Sequence, residues 1–305
     1  MAQGRQGLVH DGAQRLVSAQ VWIDGLFSGA VYALVALALA IVFQPTRVMN
    51  FAQGEPIVLG SAVCYQVVAL WQWGWPAALA LTLLFAVGMG LLSERMIMLP
   101  VRLSGSRYAW IIATLAAALI FQAIFTLSYF DVDSLRPKAM APGHVEVFGV
   151  RIGWQQLLTI GIALTVMAGY DTFLRRTAYG RAIRAASHDG DAAVIMGIPV
   201  RRVIVLSFVI AAVICAFAGA LAAPILFVAP ASGLIFTIKG FTAAVIGGVG
   251  SPRGALAGGL IVGLLDSVVR NVAGATAGDF VVFGLLALIL VAFPSGLFGK
   301  PMAAH

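Results

Sequence analysis

The sequence predicts an all-α, polytopic membrane protein of eight or nine spans, and three observations carry that prediction. Of its 305 residues, 61% are hydrophobic and only 10% are charged, against roughly 25% charged in soluble globular domains. Mean hydropathy is +0.99. The apolar residues fall into runs near the ~20 residues that a bilayer-crossing helix needs. A core of this size cannot hide so much apolar surface from water, so lipid has to cover it. The formal charge of +7 sits in the short segments between apolar runs. Membrane topology explains that distribution without a nucleic-acid partner.

Taken in order, residues 1–20 are polar and mixed, with Arg5, His10, Asp11 and Arg15. They lack the apolar core of a cleavable signal peptide, so the first apolar segment is expected to stay as an anchor. Candidate spans follow at 21–43, 54–70, 77–92, 110–130, 154–172, 203–223, 240 to about 250, 254–273 and 280–293. The seventh is short and glycine-rich, which leaves the count at eight or nine. The membrane domain thus covers 21–297, with a tail at 298–305. Segment 93–108 sets Arg95, Arg102 and Arg107 against Glu94, which places it inside. Segment 131–153 balances three basic and three acidic residues, which suits the outside. Segment 173–202 holds six arginines (175, 176, 181, 184, 201 and 202) and only Asp189 and Asp191 as acids. It belongs inside, and at that length it is a docking surface rather than a bare turn. Trp71, Trp73 and Trp75 precede Pro76 and read as an outer aromatic belt.

Several polar residues interrupt the apolar pattern. Around Asn50, Gln53, Gly54 and Glu55, followed by Pro56, three polar side chains, a glycine and a proline stand between two spans. Such breaks free backbone groups and line substrate paths in transporters. The same spacing makes a capping box that starts the second helix, with Glu55 favoured in its first turn; the two readings are compatible. Asp266 and Arg270 lie four apart on one helix face and are expected to pair. Asp24 reads as interfacial, and Lys239 as a cap on the end of a segment. Small residues at 25/29, 254/258 and 259/263 favour close helix contacts in lipid. The glycine run 246–254 lacks the Gly-Lys-Ser/Thr ending of a phosphate-binding loop and reads as a tight turn. Segment 187–191 reads as a solvated loop. Cys64 and Cys215 read as small buried hydrophobes, and neither a metal site nor a cofactor is expected.

The residues also resemble a known family. Gly25-Leu26, then Gly29 to Leu34, then Arg47-Val48-Met49-Asn50-Phe51-Ala52-Gln53-Gly54-Glu55 resemble the opening of the LivH-type permeases of branched-chain amino-acid ABC importers. Arg176-Thr177, Gly180 to Ala185, Met196-Gly197-Ile198 and Lys239 to Ser251 continue the likeness, over about residues 20–297. The resemblance implies an inner-membrane permease subunit, itself no enzyme. Its partners would be a second related permease, two cytosolic ABC ATPases and a periplasmic substrate-binding protein. It implies a coupling helix with the pattern Glu-Ala-Ala-x-x-x-Gly, matched by Asp191-Ala192-Ala193-Val194-Ile195-Met196-Gly197 with Asp for Glu. Asp191, Ala192, Ala193 and Gly197, with Gly180 and Arg181, would then engage the ATPase, while Asn50, Gln53, Gly54 and Glu55 line or gate the path. Leucine, isoleucine and valine are the implied cargo, with urea, short amides or aromatic acids as alternatives. An ion-coupled secondary transporter is the rival from another class. It would need intramembrane carboxylates, and only Asp24, Glu55 and Asp266 are at hand.

Overall fold

The computed structural model describes residues 19–292 apart from 105, 107, 148, 149 and 249. Residues 1–18, Arg107 and the tail at 298–305 therefore lie outside the described residues. The first helix, α1 (Ala19–Thr46), is apolar all round, and such a helix has to be buried on every face. It forms the centre of the bundle: from Phe27 to Val42 nearly every side chain is closed off. Around it pack α5 (Trp154–Arg176), α8 (Val200–Ala222), α9 (Gly233–Gly247) and, most extensively, α10 (Pro252–Ala273). The α1–α10 contact is the most extensive in the fold. A Cβ on Gly263 would overlap the backbone of Gly29, and one on Gly259 would overlap Ala33. The small-residue spacing expected to join helices thus does so here.

The remaining helices form the periphery. Helix α2 (Glu55–Cys64) continues as a π-helical stretch to Leu70 and packs on α8, and α3 (Trp75–Ser104) also packs on α8. Helix α4 (Ala109–Ser128) lies against α3, and α11 (Ala275–Ala292) against α10 and α9. Leu83, Leu84 and Phe85 of α3, with Ile112, Leu119, Ile124 and Leu127 of α4, point outward. Such a belt is tolerable only where lipid, not water, is the solvent. Among the described residues, six helices (α1, α3, α4, α5, α8 and α10) are long and apolar enough to cross a membrane, and α2, α9 and α11 are shorter apolar segments. This is a multi-pass helical membrane protein.

The structure corrects four details of the sequence reading. Segment 93–108 is mostly helix, because α3 runs on to Ser104. The outer segment 131–153 contains an antiparallel hairpin, His144–Val147 with Val150–Gly153, the sole strand pair among the described residues. The seventh segment begins at Gly233, and its end meets α10 through a turn where Gly248 (φ 80°) and Gly250 (φ 98°) adopt left-handed backbone. Segment 187–191 is not a loop. It ends α6 (Ala178–His188) and begins α7 (Gly190–Ile195), with the Asp189 carboxylate accepting from the amides of Asp191 and Ala192 at 3.0 Å each.

Candidate functional site

The break at Asn50–Glu55 is built as a compact turn that re-enters the bundle. The Asn50 side-chain oxygen accepts from the Ala52 amide at 3.0 Å, and its amide donates to Gln53 Oε1 at 3.1 Å. Gln53 Nε2 in turn donates to Cys215 Sγ on α8 at 3.5 Å. The expected capping box is displaced: α2 starts only at Glu55, after Gly54, and its first turn is capped from another helix. The Gly54 amide donates to Thr237 Oγ1 of α9 at 2.7 Å. Gly54 has to be glycine, since a Cβ there would overlap the Gly233 carbonyl; a Cβ on Gly233 would meet the Glu55 carboxylate.

Two short helices therefore meet N-terminus to N-terminus. Helix α9 rises 1.5 Å per residue, so its 15 residues put Gly233 about 21 Å from the α9–α10 turn. With that turn at the edge of a hydrocarbon core of ~30 Å, Gly233 lies inside the bilayer. Asn50, Gln53 and Glu55 are all buried, at 3%, 2% and 0% exposure. Both Glu55 carboxylate oxygens lack a hydrogen-bond partner among the described residues. Helix N-termini carry partial positive charge, and here two of them flank one carboxylate. The carboxylate thus lies buried at a junction between two discontinuous helices.

A second polar cluster lies deeper along α9, and only part of it was visible in the sequence. Asp266 and Arg270 pair as expected, Nε to Oδ1 at 3.1 Å. Lys239, however, does not cap a helix end. It sits in mid-α9, 1% exposed, with its Nζ 3.0 Å from Asp266 Oδ2 and 2.7 Å from Asp279 Oδ1 of α11. The Tyr32 hydroxyl of α1 donates to Asp266 Oδ2 at 2.7 Å, and Arg270 reaches Asp279 at 3.3 Å. Two cations and two anions thus cancel while joining α1, α9, α10 and α11. The sequence missed Lys239 and Asp279 because 27 and 40 residues separate partners brought together only by packing. Asp24, on the first turns of α1, accepts from Gln20 and Gln156 and stays outside the cluster.

The third element is the arginine-rich segment. Helix α7 ends in a left-handed Gly197 (φ 78°), with the Gly197 amide on Val194 O and the Ile198 amide on Ala193 O. That closure turns Val194, Ile195 and Met196 outward, at 59%, 85% and 80% exposure, while Ala193 is buried. Asp191, Ala192 and Arg181 are exposed. Gly180 differs: it is buried where α6 folds back on α5, and a Cβ there would overlap Phe173 and Leu174. Arg47, just after α1, donates to the Ser187 carbonyl at the end of α6. The segment that leads into Asn50–Glu55 is thereby tied to the segment that carries α7.

Fold and comparisons together define a helical membrane transport permease. A family model described as "Branched-chain amino acid transport system / permease component" matches residues 21–291, and the chain belongs to that family. It is 32% identical over 295 residues to the high-affinity branched-chain amino acid transport system permease protein BraD of Pseudomonas aeruginosa, covering 92% of this chain and 96% of that one. It is also 32% identical over 301 residues to the permease protein LivH of Escherichia coli K12, covering 94% and 97%. Among solved structures, PsaBC from Streptococcus pneumoniae in complex with Fab superposes with a TM-score of 0.51 at 14% identity. That match covers 92% of this chain and 95% of that one, and shows a shared fold.

Proposed function

We propose that the chain is a permease subunit of an ATP-driven importer of branched-chain amino acids. With a second related permease it would form the path for leucine, isoleucine and valine. Two cytosolic ABC ATPases would drive it, and a periplasmic protein would deliver the substrate. The observation that carries this reading is the continuous physical link from an exposed apolar helix tip, Val194–Ile195–Met196, through Ser187 and Arg47 to the buried turn at Asn50–Glu55. A tip of that kind is suited to insert into a soluble partner, and its arginine-rich surroundings support a cytoplasmic position. Rigid-body movement of α6 and α7 then pulls on Arg47 and shifts the contact between α2 and α9.

In this reading Asp191, Ala192, Ala193 and Gly197 present the tip, Arg181 lies on its exposed flank, and Gly180 acts by packing α6 on α5. Asn50, Gln53, Gly54 and Glu55 form a gate that opens when the two helix N-termini part. The test is purification of the tagged chain from its native membrane in gentle detergent, followed by reconstitution in vesicles. Recovery of two ATPases and a second permease, with ATP-dependent uptake of labelled leucine outcompeted by isoleucine and valine, is the expected result. A chain that purifies alone and takes up substrate on an ion gradient would overturn the assembly. Uptake of urea or aromatic acids in place of leucine would overturn the cargo and leave the assembly standing.

A further inference from the structure

The arginine-rich end carries a groove that neither the gate nor the α7 tip uses. It encloses about 740 Å³ and is lined by Tyr179, Arg201, Arg202, Val205, Leu206 and Val209. Arg201 and Arg202 occupy the first turn of α8, where the helix N-terminus disfavours positive charge. They are exposed, and among the described residues their guanidinium groups make no ion pair or hydrogen bond. Two adjacent cations with no acid in that turn, set against the helix dipole, do nothing for the stability of α8. Their charges are free to meet an anion from outside the chain.

The rest of the groove states what kind of anion. Val205, Leu206 and Val209 follow on the same helix and are partly exposed. Val209 lies eight residues beyond Arg201, so the apolar wall runs about 12 Å inward from the charged rim. Tyr179, 56% exposed, stands at the rim with an apolar ring and a polar tip, as side chains at a membrane interface do. The lining is thus charged at the surface and apolar below it. A soluble phosphate would use the rim and leave the wall wet. A soluble protein would meet the rim and not the membrane-embedded wall.

We infer that this groove binds an anionic phospholipid of the cytoplasmic leaflet, its phosphate held by Arg201 and Arg202 and an acyl chain lying along Val205, Leu206 and Val209. Basic pockets at the cytoplasmic ends of membrane helices suit such headgroups, at about 1 kcal/mol per arginine near the surface. Loss of both arginines is then expected to weaken binding roughly thirtyfold.

The experiment uses the assembled complex, purified in mild detergent, with phosphatidylglycerol as the probe and retained lipid measured by mass spectrometry. The wild type is expected to retain phosphatidylglycerol over phosphatidylcholine. Arg201→Ala/Arg202→Ala is expected to lose that preference, and Arg201→Lys/Arg202→Lys to keep most of it, which excludes simple misfolding as the cause. Val209→Asp is expected to reduce retention with the arginines intact, and inorganic phosphate in excess to displace nothing. Unchanged phosphatidylglycerol retention in the double alanine variant would overturn the assignment. So would displacement by inorganic phosphate alone. Loss of the second permease or of an ATPase from the double variant, with lipid retention unaltered, would overturn it in favour of a subunit contact.

Discussion

Replacement of Lys239 by Met isolates what the buried charge cluster contributes. The Lys239 Nζ lies 3.0 Å from Asp266 and 2.7 Å from Asp279, and both Lys239 and Asp266 are 1% exposed. In the wild type two cations face two anions, and the Tyr32 hydroxyl and Arg270 Nε satisfy further lone pairs of Asp266. Lys239→Met preserves the length of the side chain but leaves one net negative charge buried among four helices. Removing one partner of a buried pair costs about 3–5 kcal/mol, because the remaining charge is uncompensated. Asp279→Asn alone likewise leaves one net charge, now positive, beside a Lys239 that is 1% exposed, and with Asp279 itself 27% exposed it is expected to cost about 3 kcal/mol. In Lys239→Met/Asp279→Asn the charges again sum to zero, with Arg270 against Asp266. The double variant is therefore expected within about 2 kcal/mol of the wild type, well short of the sum of the singles. Equilibrium unfolding of the purified protein in mixed micelles, followed by helicity, reads all three variants. A loss below about 1 kcal/mol for Lys239→Met, or a double variant as damaged as the summed singles, would refute the claim that charge balance governs this cluster.

Four further outcomes are expected. Glu55→Gln keeps the shape of a side chain that has no hydrogen-bond partner, so stability is expected to change by less than about 1 kcal/mol while transport in vesicles falls. Gly197→Val forces a β-branched residue to φ 78°, at a strain of about 1–3 kcal/mol confined to the end of α7; ATPase recovery in a pull-down is expected to drop with membrane insertion intact. Gly263→Val drives a side chain into the Gly29 backbone, and separating α1 from α10 is expected to cost about 1–3 kcal/mol in the same unfolding assay. Arg47→Ala removes the bond to Ser187 and is expected to leave ATP hydrolysis running while leucine uptake per ATP falls, measured in one vesicle preparation.

The helices were legible because lipid enforces a simple pattern, and apolar runs bounded by arginines gave most segments to within a few residues. The starts of α9 and α11, at Gly233 and Ala275, were not. Residues 233–239 belong to α9, yet Thr237 and Lys239 break its apolar run, and their partners Gly54, Asp266 and Asp279 come from distant parts of the chain. For the same reason Lys239 reads in the sequence as a helix end. Asp266 and Arg270 were legible as a pair because their four-residue spacing is local. The turn at Asn50–Glu55 was visible as a break, but its cap comes from Thr237, and no local rule anticipates a cap supplied 183 residues away. The link from Arg47 to Ser187 is likewise made by the fold alone.

These non-local contacts explain why the polar residues of so apolar a chain are concentrated around α9. A 15-residue helix that starts deep in the bundle leaves its first amides without water, so they must be answered by protein groups. At that end Thr237 accepts the Gly54 amide of the neighbouring turn, and the Glu55 carboxylate lies against Gly233 without a hydrogen bond. Six residues further on, Lys239 pins the same helix to α1, α10 and α11 through groups that cancel its charge. The two clusters differ in one respect that bears on movement. Around Lys239 every charge is paired, and separating the helices there costs several kcal/mol. At Glu55 no hydrogen bond holds the carboxylate, and one bond, Gly54 to Thr237, crosses the junction. A force arriving through Arg47 would therefore open the α2–α9 contact first and leave the α9–α10–α11 unit intact as the fixed wall against which α2 moves.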